Sequence, residues 1–317
     1  MRSFVRVLSR ATAAVAAALL FSGAAPAPAP SVYPAPASPR PATATAPVQA
    51  HPALWTVHGP RATIYLLGSI HVLPSNMQWR TPQINAALNA ADTFVFEIPM
   101  DATQKADIQQ FVKQNGYLPK GSDLSMLLPP ETKKDYTAAL ALTHVPPEKL
   151  TRMRPWLALL VLETGMVNQQ HFSVDSGVDK QVYAIVANRP GVSFRAFETP
   201  QQQLRLLMPE DQSLEVQEFD AALKDLLNET TSIEDLIDAW ARADIPKLND
   251  LMNSGFKDNP RAEKSLFEDR NRAWAKQLET MLNQPHVFFV TAGAGHFAGP
   301  KGIPALLRAD GYKVDGP

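Results

Sequence analysis

Residues 62–74 read ATIYLLGSIHVLP, and residues 286–300 read HVFFVTAGAGHFAGP. Each begins as a short apolar run rich in β-branched and aromatic residues, the pattern of a strand buried on both faces, and each breaks at a Gly-x-x-His turn. The turns are Gly68-Ser69-Ile70-His71 and Gly293-Ala294-Gly295-His296. Glycine three residues before the histidine lets the backbone leave the strand with φ > 0 or approach a ligand closely. Working outward, ALWTVH at 53–58 precedes the first run across a His-Gly-Pro-Arg turn, which predicts a β-hairpin. A helix over about 82–91 leads into TFVFEI at 93–98, and a helix over GVDKQVYAIVAN at 177–188 leads into the alternating run VSFRAFE at 192–198. Such helix-to-strand units predict a parallel sheet. Helical spacing over 101–115, 130–142, 153–168 and most of 201–283 predicts helical inserts, and the chain closes on a short helix and a terminal strand at 312–314. The expected fold is α/β (α+β), with a central mixed, largely parallel sheet, flanking helices and large helical insertions.

The first 50 residues lead to an expectation about compartment. Arg2, Arg6 and Arg10, an apolar run from Ala11 to Phe21 and the small residues that follow have the order of a signal peptide over 1–24. That run is well short of the roughly 20 residues a membrane-spanning helix needs. Residues 25–50 are mostly Pro, Ala, Ser and Thr, a composition too poor in apolar surface to fold, and are read as a disordered linker. Residues 51–317 form the expected domain, periplasmic or secreted, with no stable membrane anchor after signal cleavage. Cysteine is absent, which excludes lipid attachment at cysteine, disulfides, a thiol nucleophile and covalent c-type haem. Net charge is −1, or −4 once Arg2, Arg6 and Arg10 are gone, with lysine and arginine scattered, so nucleic acid is not an expected partner.

The two histidine turns place an imidazole at the carboxyl end of a buried strand, the sheet edge where ligand crevices form in open α/β folds. Glu97 ends TFVFEI at the same edge, and a carboxylate in so apolar a run needs an ion pair, hydrogen bonds or a metal. His71, Glu97 and His296 together are the ligand types of a catalytic divalent metal, zinc, manganese or cobalt, with a position open for water. Glu198, at the end of VSFRAFE, is a second carboxylate, read as a general base or as an outer partner of a histidine. On the helix near residues 268–282, Phe267, Asn271, Trp274, Leu278 and Leu282 share a core-facing stripe, which buries the Asn271 amide and obliges it to find partners. Trp274 is read as core. Arg270, beside the stripe, is expected to hold a substrate oxyanion or to pair with Glu97.

The segments TIYLLGSIHVLP, VFEI, RPWLALLVLE, SGVDKQV, FETPQQQL, EDRNRAWAKQL and FFVTAGAGHFAGPKGIPALLRADGYKV, in this order, resemble the TraB/GumN family, which is related to the Tiki membrane-anchored proteases and to an erythromycin-esterase and ChaN-like group. The resemblance covers residues 51–314 and implies an α/β sheet with helical insertions. It also implies metal-dependent peptide-bond hydrolysis, with His71, Glu97 and His296 at the centre and Arg270 and Asn271 supporting them. The leading expectation is therefore an exported metal-dependent hydrolase, read as a peptidase, acting on a peptide or small-molecule substrate. Two alternatives stand beside it: a non-catalytic envelope protein that binds haem or peptide through a histidine, and a metal-independent, esterase-like hydrolase using histidine and glutamate as acid and base.

Overall fold

The computed structural model describes residues 47–169, 172–209, 211–228, 233–256 and 260–317. Almost all of the signal peptide and linker read from sequence lies outside the described residues. The end of the linker segment does not: Val48–Gln49 pairs in parallel with Met77–Gln78, and Ala50 is buried, so folded structure begins a few residues earlier than composition implied.

Six strands make the central sheet. They are β1 (Leu54–His58), β2 (Thr63–Ser69), β3 (Thr93–Phe96), β4 (Ser193–Ala196), β5 (Val287–Gly293) and β6 (Lys313–Asp315), in the order β6-β1-β2-β5-β3-β4. β1 and β2 form the expected hairpin, closed by the Gly59 N–H donating to the Ala62 carbonyl at 2.9 Å. β2, β5, β3 and β4 run parallel, while β1 and β6 pair antiparallel at one edge. The sheet is mixed and largely parallel, as expected. Its four parallel strands therefore end at one edge, and the chain leaves that edge through His71, Glu97, Glu198 and His296.

The apolar character of these strands follows from cover on both faces. Residues in register point to the same side, so Leu67, Thr291 and Phe96 share one face, which the Val178–Val186 helix covers through Tyr183 packed edge-on to Phe96. On the opposite face, Leu66, Val95 and Val290 pack with Trp274 and Leu278 of the Asp269–Leu282 helix. Helices Ala102–Asn115, Pro130–Thr143, Pro155–Gln169 and Gln212–Asn228 build a separate apolar cluster around Phe111, Trp156 and Phe219, the predicted helical insert. Among the described residues, no helix is long and apolar enough to cross a membrane.

Candidate active site

Neither turn glycine has a positive φ; each serves close approach instead. A Cβ on Gly68 would stand 3.0 Å from Ala294 Cα, so its absence lets the two histidine turns pack against each other. A Cβ on Gly293 would meet Glu97 Oε1 at 3.2 Å, His296 Cδ2 at 3.7 Å and His71 Nε2 at 4.0 Å. The two imidazoles, more than 220 residues apart in sequence, thus converge with Glu97 on the space left by one missing side chain. All three are buried, at 9 % for His71, 8 % for Glu97 and 2 % for His296.

Each ring is held through Nδ1. Asp179 Oδ1 lies 3.2 Å from His71 Nδ1 and can only accept, which leaves the His71 Nε2 lone pair facing Glu97. Gly177 makes this possible: a Cβ there would stand 2.4 Å from the His71 carbonyl oxygen, so only glycine lets the helix carrying Asp179 start against the histidine loop. At the other ring, Asn271 Nδ2 donates to the Lys301 carbonyl at 2.9 Å, which turns Oδ1 toward His296 Nδ1 at 2.6 Å. His296 Nδ1 must then carry the proton, and Nε2 accepts from Arg270 Nη1 at 3.2 Å. The ring is wedged between Phe267 and Trp274, at centroid distances of 4.9 and 4.4 Å.

Arg270 is the hub. Nε donates to Glu198 Oε1 at 2.8 Å, Nη2 to Glu198 Oε2 at 3.0 Å and to Glu97 Oε2 at 2.9 Å, and Nη1 to the Leu266 carbonyl at 3.1 Å and to His296. A guanidinium has five N–H groups, and all five are engaged within the protein. The pairing with Glu97 is as expected, whereas the alternative of holding a substrate oxyanion is closed to Arg270 in this arrangement. Glu198 also departs from expectation. Its oxygens bond Arg270 and the Trp274 indole N–H, the latter at 3.0 Å, so it anchors the arginine and neither ring. The histidine partners are Asp179 and Asn271, and Trp274, read as core, also forms site wall.

Burial by itself would raise the Glu97 carboxyl, but Arg270, then the two imidazoles and the Gly293 amide at 2.7 Å, hold it down to about 2. Burial and the Arg270 charge push His296 down to about 3, so its imidazole is neutral. Burial also opposes the charged form of His71, yet the Asp179 carboxylate outweighs it and the value is raised. Glu97 is therefore an ionised acceptor whose Oε2 receives Gln203 Nε2 at 2.7 Å as well as Arg270. Of its four lone-pair positions three are filled, and the fourth, on Oε1, remains at the convergence point.

Two imidazoles anchored at Nδ1 and an ionised carboxylate are donor types that suit a divalent ion, although only the His71 Nε2 lone pair is open as the side chains stand, that of His296 accepting from Arg270. The side chains as placed are a charge cluster rather than a finished cage: among the described residues, no three His, Cys, Asp or Glu side chains are spaced to hold a metal. The physical reason is Arg270, which occupies both His296 Nε2 and Glu97 Oε2.

A family model described as TraB/PrgY/gumN matches residues 53–316, nearly the whole folded chain. The chain belongs to the TraB/PrgY/gumN family. Its relatives include the metalloprotease TIKI2 of Danio rerio, 25 % identical over 318 residues that cover 83 % of this chain and 60 % of that protein. An uncharacterized protein of Treponema pallidum (strain Nichols) is 21 % identical over 272 residues, covering 80 % of this chain and 79 % of its own length. No solved structure matches this chain. Within this family member the crevice that joins His71, Glu97 and Asp179 measures about 20 Å³. A larger cavity of about 460 Å³ lies behind Asn271 and Phe267, lined by neither His71 nor Glu97. His71, Glu97 and Asp179 line the smaller one, and His296 lines neither.

Sequence reasoning missed Asp179, Gln203 and the Gly293 N–H. Asp179 stood in the SGVDKQV segment, two residues after the glycine that admits it to the site, and that proximity was the available signal.

Proposed function

We propose that this chain is an exported, metal-dependent hydrolase of peptide bonds, working where His71, Glu97 and His296 converge. The observation that carries the reading is that convergence around Gly293, with both Nδ1 positions anchored so that Nε2 is left as the ligand atom of each ring, open on His71 and bonded to Arg270 on His296. Resemblance to a protein named as a metalloprotease supports it. His71, Glu97 and His296 would hold the ion, which supplies a bound water acidic enough to ionise near neutral pH and a Lewis acid for the scissile carbonyl. The protein's own residues prepare the site. Asp179 and Asn271 fix the tautomers, Arg270 keeps Glu97 ionised, and Phe267 and Trp274 hold the His296 ring and exclude bulk water.

A second reading is favoured by one contact, Arg270 Nη1 on His296 Nε2. If that bond persists during turnover, His71 Nε2, which has no hydrogen-bond partner among the described residues, acts alone as general base in a metal-free hydrolase. Haem binding is opposed by the volume at His71, since ligand pockets span roughly 300–1,000 Å³ against 20 Å³ there.

The test is cleavage of a mixed peptide library by the exported domain, before and after chelation, with His71→Ala and His296→Ala alongside. We expect new peptide termini that disappear on chelation, return with manganese, cobalt or zinc, and are absent in both variants. Cleavage indifferent to chelation selects the metal-free reading, and a wild type that cuts nothing ends both. N-terminal sequencing of the protein from the periplasm or medium tests export: a start near residue 25 is expected, and a retained Met1 contradicts it.

A further inference from the structure

A hydrolase must stabilise the negative charge that develops on the carbonyl oxygen as water adds to the carbon, and the evident donors here are largely committed. Arg270 has no free N–H, the Gly293 N–H serves Glu97, and the Asn271 and Gln203 amides each give one of their two N–H groups, to the Lys301 carbonyl and to Glu97. Three other groups are not committed. Among the described residues, Ser69 Oγ, Gln104 Nε2 and Thr291 Oγ1 are buried without a hydrogen-bond partner, on residues 2 %, 4 % and 1 % exposed. All three line the 20 Å³ crevice together with His71, Glu97 and Asp179.

We infer that Ser69, Gln104 and Thr291 form the subsite that receives the substrate's carbonyl oxygen beside His71. Their placement follows from the sheet. Thr291 is in register with Leu67 and Phe96, and Ser69 with Gly293, so both hydroxyls rise from the face that carries the convergence point. Gln104 comes from the Ala102–Asn115 helix, which roofs the same crevice. The chemistry is one-sided: an amide nitrogen only donates, and the two hydroxyls rotate to donate with it. That set suits an oxygen with lone pairs, while the acceptors of the same crevice are the Glu97 and Asp179 carboxylates beside it. The volume agrees, since about 10–15 Å³ holds one water-sized atom, so the crevice takes the oxygen while the rest of the substrate lies along the partly exposed Met100 and Gln203. Leaving such groups unpaired in a core is unfavourable, which is the mark of a site arranged for a ligand rather than for stability.

This inference rests on the hydrolase reading and has a test that separates the two. Thr291→Val, Ser69→Ala and Gln104→Met are compared with wild type for peptide-library cleavage, bound metal and Tm. Removal of one oxyanion donor lowers the rate roughly 100-fold, so we expect losses of that order with metal content unchanged and Tm equal to or above wild type. A lowered Tm in Thr291→Val and Ser69→Ala means that the hydroxyls are satisfied by a structural water network, and overturns the proposal whatever the activity. Undiminished cleavage by all three variants overturns it equally. If the wild type cleaves nothing, the hydrolase reading falls by itself, and the Tm comparison still decides whether these groups are held for a ligand.

Discussion

Replacing Arg270 by methionine keeps the length and apolar stem of the side chain and removes the positive charge between Glu97 and Glu198. The arginine is 7 % exposed and makes three bonds to those carboxylates at 2.8–3.0 Å, so the change leaves two buried carboxylates without their counter-ion. Breaking a buried pair from one side costs about 3–5 kcal/mol. At about 2–4 °C per kcal/mol for a domain near this size, Tm should fall by roughly 6–20 °C. The loss has a pH signature. With Arg270 gone, burial raises the Glu97 carboxyl, which takes up a proton as the medium is acidified, so the deficit should be largest on the alkaline side and shrink toward pH 5. Thermal unfolding followed by circular dichroism at several pH values reads both features. A Tm within about 1 °C of wild type across that range refutes the hub assignment, because a buried pair broken from one side cannot be neutral.

Acid should destabilise the folded chain earlier than carboxylates alone allow. His296 is depressed to about 3 from 6.5, so between those values the unfolded chain binds a proton that the folded chain does not, and stability falls as pH drops below 6.5. The limiting slope is about 1.4 kcal/mol per pH unit for one group. Glu97, depressed to about 2 from 4.5, adds its own loss below 4.5. Raised His71 acts with the opposite sign, its contribution being present in acid and lost as pH rises through its folded value. Urea titrations should therefore show His296→Gln moving the onset of acid loss down toward 4.5; an unmoved onset contradicts a buried neutral imidazole. Gly293→Ala should fold yet abolish activity, because the new methyl stands 3.2 Å from Glu97 Oε1 in the convergence space; an active alanine variant contradicts the geometry. Asp179→Ala should weaken metal binding roughly 10–100-fold, as loss of a histidine's outer partner does elsewhere, and unchanged affinity speaks against that role.

Much of this was legible in the chain because local pattern and tertiary role coincide. TIYLL and HVFFV read as strands buried on both faces, and so they are, which fixed the sheet edge from which His71 and His296 emerge. Glu97 stood out because a carboxylate inside TFVFEI has no local means of satisfaction. Asn271 stood out because its helical phase matched Trp274 and Leu278. What stayed illegible depends on how elements meet rather than on how they are written. Asp179 reads as an ordinary acidic residue in a helix's first turn, and only the approach of that helix to the His71 loop reveals its partner. Glu198 and Arg270 were both singled out, yet sequence cannot count how many of five N–H groups another element consumes. Ser69, Gln104 and Thr291 carry no sequence signal, since buried hydroxyls are common and only the absence of partners distinguishes these.

The most direct measurement is cobalt(II) titration of the untagged domain, followed by visible absorption and calorimetry, with His71→Ala and His296→Ala in parallel. One equivalent should bind with the spectrum of nitrogen and oxygen ligands, and either substitution alone should abolish it, because both rings serve one ion. Retention of binding by both single variants, or a wild type that takes up no metal while still cleaving peptides, contradicts a shared metal centre at the two histidine turns.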